Sequence, residues 1–203
     1  MISFSPSSEN DGMQADDQRK SLALPRFGID PPGQPAPPWT TREWFNTASA
    51  LQLAGLRGKV VVLHAFQMLC PACVHHGLPQ AQRIHATFAR QDVAVIGLHT
   101  VFEHHAAMTP VSLRAFLHEN RVAFPVGVDA PCADPNDAIP TTMRAYRMQG
   151  TPSLLLIDRN GYLRHHAFGA EDDLVLGAAI ATLIDESDSM PTSPPQPALR
   201  SGI

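Results

Sequence analysis

Two cysteines three positions apart carry the strongest chemical signal in the sequence, in the stretch Cys70-Pro71-Ala72-Cys73. They follow an apolar, strand-like run at 60–63 and precede a segment with helical periodicity. At the start of a helix, unpaired N–H groups and the positive end of the dipole favour a thiolate over a thiol. We therefore predict that Cys70 attacks disulfides and that Cys73, one turn further on, resolves the mixed disulfide.

A metal-binding interpretation of the same pair stays open at this point. Pro71 suits the first position of a helix, because its φ is already helical and its missing N–H would have been unpaired. However, two cysteines at this spacing are also half of a zinc site, which needs a second pair or two histidines at ligand spacing. The sequence has no second pair, and a strand followed by a helix favours redox chemistry.

The remaining cysteine and the histidine doublets give weaker signals. Cys132 is predicted to be a small apolar residue, with a third redox thiol as the alternative. The doublets at 75–76, 104–105 and 165–166 direct their side chains apart on either a helix or a strand. We therefore expect surface histidines and predict no metal site.

Length and charge narrow the classes of protein. A chain of 203 residues with a net charge of -4 suits one domain and lacks the basic footprint of a nucleic-acid or anionic-membrane partner. The N-terminus lacks a basic start followed by an apolar run, and no apolar stretch is long enough to cross a bilayer. These features predict a cytoplasmic protein.

The 19 prolines concentrate at the two ends of the chain. Proline-rich polar stretches cannot bury enough apolar surface to offset the entropy of ordering. We predict a disordered N-terminal segment at 1–38, a folded domain at 39–185 and a disordered tail at 186–203.

Within that domain, strand-like and helix-period segments alternate, which predicts an α/β fold. Asp158 to Gly161 reads as a hairpin turn, because Asn-Gly readily adopts positive φ. The last two strands are therefore expected to be antiparallel in a mixed sheet. Strands are predicted at Lys59–Phe66, Val93–His99, Phe124–Asp129, Ser153–Asp158 and Tyr162–Phe168, with helices around 78–88, 110–120 and 176–184.

Two separated motifs resemble the thioredoxin-like superfamily, specifically the TlpA-like and redoxin thiol-disulfide oxidoreductases. The first is LAGLRGKVVV at 53–62, leading to Phe66 and the cysteine pair, and the second is YRMQGTPS at 146–153, leading to LIDRNG at 156–161. The resemblance covers about 39–185. It implies a mixed β-sheet flanked by helices, with an extra helix and strand at 110–120 and 124–129, between the helix that carries the pair and the proline strand.

The resemblance also implies roles for individual residues. Cys70 and Cys73 would form the redox-active disulfide, and Pro71 and Ala72 between them would face the substrate. Pro152 would be a cis-proline packed against the pair, and the backbone of Thr151 would hold an extended substrate.

His64 stands where many relatives carry a buried acidic residue, which helps protons move to and from the second cysteine. A histidine can take over that role near neutral pH, although burial would lower its pKa. The alternative is a hydrogen-bonded core histidine without a catalytic part. Leu69 and His76 also replace a tryptophan and a glutamate that relatives carry.

The predicted function is thiol-disulfide exchange without a bound cofactor. Substrates are protein or small-molecule disulfides, and an unidentified thiol partner resets the pair. Alternatives are a metallochaperone binding copper or zinc, a peroxiredoxin-like peroxidase, and a peptide-binding module without turnover. Against the peroxidase, Gln67 occupies the place of the threonine that holds peroxide in that family.

Overall fold

Six strands form one mixed sheet in a computed structural model, which describes residues 28–134 and 136–186. Across the sheet the order is β1-β4-β3-β2-β5-β6, so that β2 is central, parallel to β3 and antiparallel to β5. The strands are β1 (Thr41–Phe45), β2 (Val60–Phe66), β3 (Val93–His99), β4 (Val126–Asp129), β5 (Ser153–Ile157) and β6 (Leu163–Phe168).

Strand β2 is buried along its whole length because helices cover both faces of the sheet. Val60, Val62 and Phe66 point into one core, and the alternate residues of the strand point into the other. The first core is completed by helices α1 (Leu78–Thr87), α2 (Pro110–Glu119) and α4 (Asp173–Asp185). The second is completed by helix α3 (Thr141–Ala145) and a 3₁₀ turn at Leu53–Leu56.

The turn between β5 and β6 is the predicted hairpin. Gly161 has a φ of 82°, which favours glycine, and its N–H donates to the carbonyl of Asp158 at 2.9 Å. The Asp158 carboxylate accepts from the N–H groups of Asn160 and Tyr162 at 3.0 and 2.9 Å. The antiparallel pairing of the last two strands is confirmed.

Residues 28–38, which the sequence assigned to the Pro-rich N-terminal segment, pack along β6. The Asp30 N–H donates to the Arg164 carbonyl at 2.7 Å, and the Arg164 side chain donates back to the Asp30 carbonyl at 2.6 Å. Ile29 is buried, and the Tyr146 hydroxyl donates to the Pro37 carbonyl at 2.6 Å. Because Ile29 is buried against the domain, the folded unit begins before residue 39, the start predicted from the sequence. The other parts of the two predicted tails, 1–27 and 187–203, lie outside the described residues.

The thioredoxin-like fold predicted from the motifs is confirmed. All five predicted strands occur, with ends within two residues of those expected. Strand β1 was not predicted; its five residues pair only with β4 at the edge of the sheet. In the described part of the chain, no helix combines the length and apolar character that a membrane span requires.

Candidate active site

Cys70 lies at the junction between β2 and the helix that follows it. Pro71 and Ala72 form the first helical residues, a π-helical turn covers Cys73–Gly77, and α1 continues without a break. The Val74 N–H donates to the Cys70 carbonyl at 3.1 Å, which makes Cys70 the residue at which the helix begins. The Cys73 N–H donates to the Cys70 sulfur at 3.4 Å. A backbone donor at the start of the helix therefore points at the partly exposed Cys70 sulfur.

A second segment, which leads into β5, contacts Cys70. The thiol of Cys70 donates to the carbonyl oxygen of Thr151, 81 positions later in the chain, with 3.5 Å between sulfur and oxygen. The Thr151-Pro152 peptide bond is cis, as the resemblance implied, and Pro152 is buried. The Gly169 N–H donates to the Pro152 carbonyl at 2.9 Å. The two predicted motifs therefore form one site.

The two sulfurs occupy different environments. Cys70 is partly exposed, whereas the side chain of Cys73 is buried in the core beneath the helix. Burial, followed by the hydrogen bond with the Cys70 side chain, raises the pKa of Cys73 to about 12. Cys73 is therefore a protonated thiol at neutral pH, and Cys70 is the sulfur that a substrate can reach.

His64 lies on the face of β2 that points toward this helix. Its ring stacks on Phe66 with an interplanar angle of 2° and a centroid separation of 5.7 Å. Burial lowers the pKa of His64 to about 4, so the imidazole is neutral near pH 7. Its Nε2 is buried and has no hydrogen-bond partner among the described residues.

Two buried polar side chains that sequence reasoning did not assign to the site hold the segment in front of Cys70. The Gln67 amide oxygen accepts the Phe102 N–H at 3.2 Å, and its NH₂ group donates to Glu103 at 3.2 Å. His99 Nε2 accepts the Met68 N–H at 3.4 Å. His99 is a polar residue in the otherwise apolar strand β3, and this pattern could have indicated its role from the sequence.

The surface around Cys70 is apolar. Leu69, the preceding residue, is 54% exposed, and Phe168 at the end of β6 is 55% exposed. The Phe168 ring lies against Gly150, where a Cβ would come within 2.9 Å of it. Leu69 adjoins Cys70 in the chain, and Phe168 lies against the residue before Thr151, so these two side chains form an apolar rim beside the site.

Other predicted candidates lie apart from this site. Cys132 lines a separate cavity of about 290 Å³ between β1, β4 and the loop before α3, together with His105 and Asp137. His75 and His76 are exposed, as expected for surface histidines. Among the described residues, no three histidine, cysteine or acidic side chains are grouped to hold a metal ion.

Comparison with known proteins shows a family and a fold that this chain shares. The model of the AhpC/TSA family matches residues 32–166. A thioredoxin-like superfamily protein of known crystal structure is 60% identical, with a TM-score of 0.74 over 76% of this chain and 99% of that chain. A thiol-disulfide isomerase from Corynebacterium glutamicum is 49% identical, with a TM-score of 0.71 over 75% and 98%.

A curated relative is more distant. The protein DipZ of Mycobacterium tuberculosis is 28% identical over 146 residues, which are 71% of this chain. The matched region spans only 20% of that protein's length. The comparison with DipZ therefore concerns one part of a much longer protein.

Proposed function

The chain belongs to the AhpC/TSA family and is a thioredoxin-like thiol-disulfide oxidoreductase, and we propose that Cys70 and Cys73 are its redox-active pair. The observation that carries this proposal is the position of the Cys70 sulfur. It is partly exposed, 3.4 Å from the Cys73 N–H and 3.5 Å from the Thr151 carbonyl oxygen.

In the reductive direction, the Cys70 thiolate attacks one sulfur of the substrate disulfide. The Cys70–substrate bond forms, the substrate disulfide breaks, and the departing substrate sulfur takes up a proton. The buried Cys73 thiol then attacks the Cys70 sulfur and releases the second substrate sulfur as a thiol. The products are a reduced substrate and a Cys70–Cys73 disulfide, which a partner dithiol must reduce for the next turnover.

His64 is proposed to carry the proton that Cys73 loses. A neutral imidazole can accept a proton, and the thiol becomes acidic as its sulfur forms the new bond, so transfer accompanies attack. Full ionisation of Cys73 beforehand is disfavoured because its pKa is raised to about 12. The unpartnered Nε2 of His64 supports this role.

The substrate is proposed to be an extended polypeptide that contains a disulfide. The exposed side chains of Leu69 and Phe168, which form the apolar rim, offer apolar contacts for such a chain. Pro71 and Ala72 are exposed beside it, and Thr151 supplies backbone groups for an extended chain. An unidentified thiol partner would reset the pair.

Trapping of the mixed disulfide tests the proposal. In a Cys73→Ser variant, we expect a substrate peptide to accumulate as a stable adduct on Cys70, detected by mass spectrometry of the non-reduced protein. The matched control Cys132→Ser should turn over like the wild type. If Cys70→Ser forms the same adduct on another cysteine, the assignment of the pair is overturned.

Equilibration in defined thiol/disulfide buffers gives the direction of the reaction. A potential near about -270 mV suits a reductase, and one near about -120 mV suits an oxidant. If no reversible Cys70–Cys73 disulfide forms, and the purified protein instead contains copper or zinc, the metallochaperone alternative replaces this proposal.

A further inference from the structure

Gly77 makes an unusually close approach to His64. A Cβ at position 77 would lie 2.5 Å from Cε1 and 3.1 Å from Nε2 of the His64 ring, and 3.0 Å from the Cβ of Pro152. Side chains do not approach one another at 2.5 Å. Position 77 therefore accommodates the His64 ring only because it has no side chain.

The backbone does not require a glycine at this position. Gly77 has a φ of -64° and a ψ of -49°, which are ordinary helical values that any residue adopts. Inside a helix, glycine is less favourable than alanine. The backbone at position 77 does not need the conformational freedom of glycine. The missing side chain instead leaves room for the imidazole of His64.

Gly77 lies four residues after Cys73, on the same side of the helix, and both belong to a π-helical turn. The Leu78 N–H donates to the Cys73 carbonyl, a bond that spans five residues rather than four. Pro79 follows directly; it has no N–H and its ring crowds the carbonyl four residues earlier, which favours widening of the helix here. Cys73 and Gly77 are both buried, so both face the sheet on which His64 lies.

We propose that Gly77 is a positioning residue, which seats the His64 imidazole against the turn that begins at Cys73 so that it can exchange a proton with the resolving thiol. This inference rests on the proposed function of the pair and of His64. In the step concerned, the Cys73–Cys70 bond forms and the Cys70–substrate bond breaks. The Cys73 proton passes to the imidazole and then to the departing substrate sulfur, so His64 is unchanged after each turnover.

Single-turnover kinetics separate this role from a purely structural one. Formation of the mixed disulfide depends on Cys70, whereas its resolution depends on Cys73 and on proton transfer. For Gly77→Ala we expect formation within about twofold of wild type and resolution slowed about tenfold or more, in line with the usual contribution of general acid–base catalysis. The matched control is Gly177→Ala in α4, where an added Cβ meets no atom within 4 Å and both rates should stay unchanged.

A double-mutant cycle tests whether Gly77 acts through His64. His64→Ala alone should slow resolution as well, and because it empties the space beside position 77, adding Gly77→Ala should then have little further effect. If the single Gly77→Ala variant fails to fold, the double variant with His64→Ala should restore folding, which would itself support the steric pairing.

Two results would overturn the inference. One is an unchanged resolution rate in Gly77→Ala, and the other is an equal slowing by Gly77→Ala with and without His64. Either result leaves the pair intact provided that Cys73→Ser still traps the adduct on Cys70. Loss of that adduct would instead remove the proposed function itself.

Discussion

Cys70 and Cys73 differ in burial although they are separated by only two residues. The helix start places the Cys70 sulfur at the surface beside Thr151, and one turn later Cys73 points into the core. This asymmetry supports the proposed roles of Cys70 in attack and Cys73 in resolution, because only the Cys70 sulfur is partly exposed. Two buried histidines near these cysteines, His64 and His99, make the stability of the fold depend on pH.

Acidification should destabilise the protein through those two histidines. Burial lowers the pKa of each from 6.5 to about 4, and the charge of Arg42 adds to the effect on His99. Between these values the unfolded chain binds more protons than the folded one, so stability present above pH 6.5 is lost as the pH falls toward 4. The shift corresponds to about 3 kcal/mol for each histidine.

Urea denaturation of His99→Gln at pH 7 and pH 4.5 measures how much of the pH dependence of stability comes from His99. Glutamine can still accept the Met68 N–H but does not titrate, so the variant should lose about half of the extra pH dependence. Other titrating groups are common to both proteins and cancel in the comparison. An identical pH dependence in variant and wild type would contradict the assignment to His99.

Phe168→Ser should weaken the binding of peptide substrates. Loss of the half-exposed ring removes roughly 1 kcal/mol of apolar contact, or about a fivefold increase in KM for a peptide with an aliphatic residue beside its disulfide. A small aromatic-free disulfide such as oxidised dithiothreitol should react at an unchanged rate. Leu174→Ser is the control, because Leu174 is 84% exposed but lies beside Thr87 and Phe88, at the far end of α1 from Cys70. Equal effects of the two variants would contradict a specific role for the rim.

At the scale of elements, the site depends on how α3 and the loop after it are fixed. The buried Asp129 at the end of β4 accepts from the N–H groups of Thr142 and Met143 at 2.9 and 3.0 Å, and from the Thr100 hydroxyl at 3.0 Å. It therefore caps the helix whose chain continues to Thr151. Burial raises the pKa of this carboxyl above its usual value, against those hydrogen bonds.

Asp129→Ala should lower the free energy of unfolding by about 3 kcal/mol or more, because two buried N–H groups and a hydroxyl lose their acceptor. Asp129→Asn keeps one acceptor oxygen and should cost clearly less. Urea denaturation measures both values, and the rate of disulfide exchange should fall with Asp129→Ala as the loop to Thr151 loosens. A cost for alanine no greater than that for asparagine would show that the carboxylate does not hold α3.

At the scale of the whole molecule, residues 28–38 complete the fold along its β6 edge. Their backbone pairs with β6 at Asp30–Arg164 and with the turn before it at Ala36–Gly161. Trp39, which follows them, donates its indole N–H to the Leu51 carbonyl at 2.7 Å. Arg164 is buried and forms ion pairs with Asp158 and Glu186. The edge strand thus has partners on both sides.

Removal of residues 1–38 should therefore lower Tm relative to removal of 1–27 alone. Burial of Ile29 and the four hydrogen bonds of Asp30, Ala36 and Pro37 together contribute about 3 kcal/mol or more. This corresponds to a decrease of about 6–12 °C for a domain of this size. Differential scanning calorimetry of the two truncated proteins measures the difference. Equal Tm values would show that the segment adds nothing to the fold.

Patterns in the sequence are enough to predict the fold class, the hairpin and the pairing of two motifs. Val60–Phe66 predicts a strand buried on both faces, Asn160-Gly161 predicts a tight turn, and helical spacing after Cys73 predicts a helix packed on the sheet. These features are local patterns of apolar residues and turn residues, which report the environment of each segment. The period of two along β2 even places His64 on the same face as Phe66.

The tertiary structure alone decided how the site is assembled. The 3.5 Å contact between Cys70 and Thr151 joins residues 81 positions apart, and the fit of the His64 ring against Gly77 depends on a π-helical turn with no simple local code. The packing of residues 28–38 was not predicted. A proline-rich composition indicates which backbone conformations the segment prefers, but not that the edge of β6 offers a surface to which the segment can bind. Contacts of this kind depend on distances between distant segments, which only the folded chain sets.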